Sequence, residues 1–189
     1  MNLPNSLTLV RIFLVPFLMV FLIANVQPRN YPAAAIFVAA VFTDWLDGRL
    51  ARSRKQVTTL GQLLDPIADK LLIAAALISL VEIGRVPAWL AVVIIGRDIA
   101  VTGLRGIAAS QGLIIAASQL GKYKMAAEVI AVTLLILDPG PSPFPSLPFS
   151  WGGFALGVAL TLNVVSGIDY FVRFWRQVGL GEEVRSRGR

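Results

Sequence analysis

At 189 residues, 56% hydrophobic and only 15% charged, the chain is too oily for a soluble domain, which carries about 25% charged residues. It contains no cysteine and no histidine, which excludes disulfides, thiolate nucleophiles, zinc sites of the usual ligand type and any histidine base. A net charge of +6 and a mean hydropathy of +0.73 fit a membrane protein with basic loops beside anionic lipid, not a nucleic-acid binder.

About 20 apolar residues cross a bilayer. Long unbroken apolar runs favour helices over the short alternating strands of a barrel. The expected fold is an all-α integral membrane protein with six transmembrane helices and a short interfacial N-terminal segment, "MNLPNS". Arg11 and Pro16 interrupt the first apolar run and no small-residue cleavage pattern follows, so no cleavable signal is read there. The spans fall near 7–26, 32–52, 62–82, 88–109, 122–138 and 151–174. Turns at 27–31 and 83–87 hold Pro28, Gly84 and Pro87. Residues 139–150, "PGPSPFPSLPFS", carry five prolines and form the longest irregular loop. Residues 1–174 read as a single membrane domain and 175–189 as a basic cytoplasmic tail.

Basic residues cluster at 49–60, 105–124 and from 173 onward, while the opposite loops carry only Arg29 and Arg85. The positive-inside rule then puts both termini in the cytoplasm.

The segment "DWLDGRLARSRKQVTTLGQLLDPIAD" at 44–69 interrupts this pattern with four aspartates. At about 100° per residue, Asp44 and Asp47 share a helix face with the small residues Gly48 and Ala51. Gly61, Asp65, Ala68 and Asp69 share another, with Pro66 starting or kinking that helix. Two consecutive antiparallel helices can bring these faces together. Four carboxylates at close range repel, and burying them is costly, so the working state needs cations. All-oxygen ligands select hard ions such as Mg²⁺, Mn²⁺ or Ca²⁺, and four acids can hold two of them. The competing reading is pairing with neighbours, such as Asp69 with Lys70. Inside a membrane segment the functional reading is favoured. A divalent-cation transporter would use the same acids, but it should show inverted repeats and midplane sites, and neither is visible.

The spacing Asp-x2-Asp-Gly-x2-Ala-Arg-x8-Gly-x3-Asp-x3-Asp, here Asp44, Asp47, Gly48, Ala51, Arg52, Gly61, Asp65 and Asp69, resembles the signature of the CDP-alcohol phosphatidyltransferases. The stretches "NLPNSLTLVRIFLVP", "LLDPIADK", "GRDIAVTGLR" and "SQLGKYKM" are similar to the branch that uses sn-glycerol 3-phosphate as acceptor of a phosphatidyl group from CDP-diacylglycerol. "GRD" stands where "GRE" is frequent in that branch. Sister enzymes take inositol phosphate, serine, choline or phosphatidylglycerol.

The resemblance implies two Mg²⁺ or Mn²⁺ ions held by Asp44, Asp47, Asp65 and Asp69, with Asp69 also acting as general base. It places Gly48, Ala51, Gly61 and Arg52 at the nucleotide of CDP-diacylglycerol, with Thr58, Asn5 and Thr8 as further candidates. Asn5 and Thr8 also fit a helix N-cap and first turn. The acceptor phosphate would be held by Arg105 and Lys122, with Arg97 and Lys124 beside them. Arg97 competes as an ion pair with Asp98, and the others as ordinary cytoplasmic charge. Glu128, Asp138 and Asp169 receive no role. The resemblance further implies a homodimer. The lack of an Arg-rich, Ser-rich transit segment favours a bacterial cytoplasmic membrane.

Overall fold

In a computed structural model, the described residues are 3–24, 30–54, 59–110, 119–137 and 150–187, with side chains described at 8–24, 30–43, 67–110, 119–137 and 150–177. They form six α-helices in chain order: α1 Leu3–Ala24, α2 Tyr31–Arg54, α3 Thr59–Glu82, α4 Ala88–Ser110, α5 Gln119–Leu137 and α6 Trp151–Arg187. No strand occurs among them. The six expected elements are therefore six helices, and α6 continues through the basic tail as far as Arg187.

Local chemistry sets several helix ends. Asn30 caps α2: its Oδ1 accepts from the Ala33 amide at 3.0 Å and its backbone carbonyl from Ala34 at 3.0 Å. Its Nδ2 donates to the Phe21 carbonyl at 2.6 Å, which ties the start of α2 to α1. Ser150 caps α6 through the Gly153 amide at 3.2 Å. The end of α3 is a Schellman motif. Gly84 has φ 72, its amide donates to Val81 at 2.9 Å, and the Arg85 amide donates to Leu80 at 2.8 Å. Only glycine takes that left-handed backbone without penalty.

Two sequence expectations shift. α1 begins at Leu3, so Asn5 lies inside its first turns and does not cap it. α3 begins at Thr59, so Pro66 lies within the helix and does not start it. The five-proline loop, Asp138, the stretch containing Thr58 and most of the first turn lie outside the described residues.

The core is apolar and draws on all six helices. Leu18 and Leu22 of α1, Phe37 of α2, Leu77 and Leu80 of α3, Ile94 of α4, Val132 and Leu135 of α5 and Leu156 of α6 are all fully or nearly fully buried. α1 packs on both α2 and α3, and α6 packs on α5 and α4. The α5–α6 seam is close: a Cβ at Gly152 would sit 3.0 Å from Cδ2 and 3.2 Å from Cα of Leu135.

The outer surface is apolar as well. Phe13, Val20, Val92 and Trp151 are each more than 60% exposed, and similar residues occur on every helix. Soluble monomers rarely display apolar surface on this scale. By length and hydropathy, the one described stretch long and apolar enough to cross a bilayer unaided is Trp151–Gln177 of α6. Thr8–Ala24 and Tyr31–Thr43 are shorter apolar stretches, and α4 carries Arg97, Asp98 and Arg105 within its length.

Candidate active site

One cavity of about 250 Å³ opens between α3, α4 and α5. The antiparallel run of these helices brings the N-terminal half of α3, the C-terminal half of α4 and the start of α5 to the same end of the bundle. Asp69 and Lys70 come from α3, Arg97, Asp98 and Arg105 from α4, and Lys122, Lys124 and Glu128 from α5. Five cations and three carboxylates give its walls a formal net charge of +2.

The inner wall is an ion network. Lys124 Nζ donates to both oxygens of Asp98, at 2.7 and 2.5 Å. It also pairs with Glu128 Oε2 at 2.8 Å, one helical turn on. Arg97 Nη1 donates to Asp98 Oδ1 at 2.9 Å. Asn163 Nδ2 of α6 donates to Glu128 Oε1 at 2.7 Å. Arg97, Asp98, Lys124 and Glu128 thus sum to zero charge, which is how charged groups persist in so apolar a bundle. The ion pair expected of Arg97 with Asp98 is present, and Arg97 lines the cavity too.

The outer part of the cavity is different. Arg105 and Lys122 are exposed. Neither makes an ion pair among the described residues. The Arg105 guanidinium lies over the buried Tyr170 ring, 5.2 Å from its centroid, a favourable cation–π contact. Lys122 and Arg105 therefore keep positive charge available at the mouth.

Asp69 is the one signature aspartate whose side chain is described. It lies 4.0 Å from Lys70, each side chain being 30% exposed, and it faces the cationic cavity. The backbones of α2 and α3 carry the other aspartates, but the side chains of Asp44, Asp47 and Asp65, with Gly48, Ala51, Arg52 and Gly61, lie outside the described set. So does the side chain of Asn5. Thr8 is described and buried at 1% exposure on α1, and Arg11, nearly one turn on, is buried to the same extent. Asp69 brings a carboxylate, the kind of oxygen donor that hard divalent ions prefer, to the cavity wall.

Sequence reasoning left Glu128 without a role and missed Asn163, Ser166, Gly167 and Tyr170. The available signal was polar residues at i, i+3 and i+7 on an otherwise apolar helix, where such residues mark functional faces.

Comparison with known proteins identifies the family. The sequence profile described as CDP-alcohol phosphatidyltransferase matches residues 1–165. The chain is 44% identical over 186 residues to a CDP-diacylglycerol–glycerol-3-phosphate 3-phosphatidyltransferase of Bacillus subtilis (strain 168), covering 92% of this chain and 95% of that protein. It is 38% identical to CDP-diacylglycerol–glycerol-3-phosphate 3-phosphatidyltransferase 2 of Arabidopsis thaliana, covering 93% and 80%. It is 35% identical to the protein of the same name, without the numeral, in Rickettsia felis, covering 90% and 93%. The acid signature, the six-helix bundle with its apolar exterior and these matches over most of the chain agree: it belongs to the CDP-alcohol phosphatidyltransferase family, membrane enzymes that transfer phosphatidyl groups.

Proposed function

We propose that the chain transfers the phosphatidyl group of CDP-diacylglycerol to sn-glycerol 3-phosphate, giving phosphatidylglycerophosphate and CMP. One observation carries a phosphorylated acceptor: Asp69, Arg105 and Lys122 share a single cavity whose net charge of +2 suits a phosphate dianion. The names of the relatives point the same way.

In this reading Arg105 and Lys122 hold the acceptor phosphate at the mouth. Arg97 and Lys124, neutralised by Asp98 and Glu128, give the cavity a fixed polar inner wall. Asp69 takes the proton from the 1-hydroxyl. The hydroxyl oxygen bonds to the phosphatidyl phosphorus, the phosphoanhydride bond breaks, and CMP leaves with the bonding electrons. Mg²⁺ or Mn²⁺ held by Asp44, Asp47, Asp65 and Asp69 would supply positive charge beside the reacting phosphates. Gly48, Ala51, Arg52 and Gly61, with Thr58, Asn5 and Thr8, form the CDP-diacylglycerol side of the site. The contribution of the protein is positioning and electrostatics, as in other phosphoryl transfers.

All six helices span the bilayer in this account, supported by the apolar outer surface. Both termini and the cavity face the cytoplasm, supported by the basic residues near it. Residues 1–174 act as one membrane domain with 175–189 as its tail, and the enzyme assembles as a homodimer in a bacterial cytoplasmic membrane. The test is CMP release from CDP-diacylglycerol by purified protein given a panel of acceptors. Glycerol 3-phosphate should support it. Release with inositol phosphate but not glycerol 3-phosphate would overturn the acceptor assignment.

A further inference from the structure

Four residues of α6, Asn163, Ser166, Gly167 and Tyr170, follow the i, i+3, i+4, i+7 spacing of a single helix face. Each meets the charged wall of the cavity from behind. Asn163 donates to Glu128 at 2.7 Å. Ser166 Oγ accepts from Arg97 Nη2 at 2.8 Å and donates to the Asn163 carbonyl at 3.1 Å. A Cβ at Gly167 would lie 3.0 Å from Cγ and 3.1 Å from Nε of Arg97, so the missing side chain lets the arginine stem cross the helix closely. Tyr170, 3% exposed, supports Arg105 through its ring. None of the four lines the cavity itself.

We propose that this face of α6 is a positioning surface that holds Arg97 in the inner wall and pre-orders Arg105 for the acceptor phosphate. The inference rests on the reading of the cavity as the glycerol 3-phosphate site. Long arginine side chains lose rotamer freedom when they bind an anion, and a partner that orders them beforehand lowers that cost. The α6 residues touch no substrate. They act by fixing where α4 presents its charge.

The test compares steady-state kinetics of the full-length wild type with Tyr170→Leu, Tyr170→Phe and Ser166→Ala, and with Val165→Ala on the exposed side of α6 as control. Tyr170→Leu should raise the KM for glycerol 3-phosphate about 2-fold to 10-fold, the cost of ordering one long side chain. Its kcat and its KM for CDP-diacylglycerol should stay within about 2-fold. Tyr170→Phe keeps the ring and should behave as wild type. Ser166→Ala removes one hydroxyl and should show the same split to a smaller degree, which covers the case of Tyr170→Leu failing to fold. Equal loss toward both substrates, or no change in either variant, would overturn the positioning role while leaving the acceptor assignment standing. Wild-type protein inactive with glycerol 3-phosphate would overturn both.

Discussion

Replacing Lys124 with methionine removes the cation at the centre of the buried network while roughly keeping side-chain volume. Lys124, 8% exposed at its side chain, satisfies Asp98 at 2.5 Å and Glu128 at 2.8 Å. Its loss leaves two buried carboxylates against one guanidinium, a net of −1 in an apolar bundle. Breaking a buried ion pair by deleting one partner costs about 3–5 kcal/mol. For a chain of this size each kcal/mol moves the unfolding midpoint by about 2–4 °C, so Lys124→Met should unfold about 6–20 °C lower. The double variant Lys124→Met/Glu128→Gln restores neutrality, with Arg97 still facing Asp98, and should recover more than half of the loss. The native tryptophans allow thermal unfolding in detergent to be followed by intrinsic fluorescence. A midpoint for Lys124→Met within about 2 °C of wild type, or a double variant no more stable than the single one, would refute the argument that charge balance holds this wall together.

Gly152→Ala places a Cβ about as close as real contacts allow, 3.0 Å from a methyl of Leu135 and 3.2 Å from its backbone. Overpacking of this kind costs about 1–3 kcal/mol, read as a lower unfolding midpoint with no change in KM for either substrate. Arg105→Ala removes a mouth cation that makes no ion pair among the described residues and should raise the KM for glycerol 3-phosphate at least about 10-fold, as charged hydrogen bonds are worth about 1.5–3 kcal/mol. Its KM for CDP-diacylglycerol should change little. Asp69→Asn should abolish turnover in the CMP-release assay while most nucleotide binding, measured by calorimetry, survives. Chelation of divalent ions should stop CMP release, and added Mg²⁺ or Mn²⁺ should restore it.

Much of this architecture is legible in the sequence because its signals are local. The spacing of Asp44, Asp47, Asp65 and Asp69 carries the family resemblance within 26 residues. Apolar runs and turn residues such as Gly84 and Pro87 mark the helices. Arg97, Arg105, Lys122 and Lys124 lie in two short stretches, and the structure brings all four to one cavity. The transporter reading of the same acids gives way to an enzyme once the family is established. What escaped was long-range. Asn163 meets Glu128 across 35 positions and Ser166 meets Arg97 across 69. No local pattern encodes such partners. The pairing of Arg97 with its neighbour Asp98 is legible in the sequence, but that of Lys124 with Asp98, 26 positions away, is not. Arg11 reads from the sequence only as an interruption of the first apolar run, yet it is buried on α1 together with Thr8.

The central claim is that the cavity between α3, α4 and α5 takes the acceptor phosphate. Because the chain has no cysteine, one introduced thiol reports on that cavity alone. Met125→Cys puts it on the lining without replacing a charged residue. Its labelling by a water-soluble thiol reagent should be slowed at least about 10-fold by glycerol 3-phosphate at concentrations that saturate turnover, and not by glycerol. Labelling that proceeds equally fast with and without glycerol 3-phosphate would contradict the account.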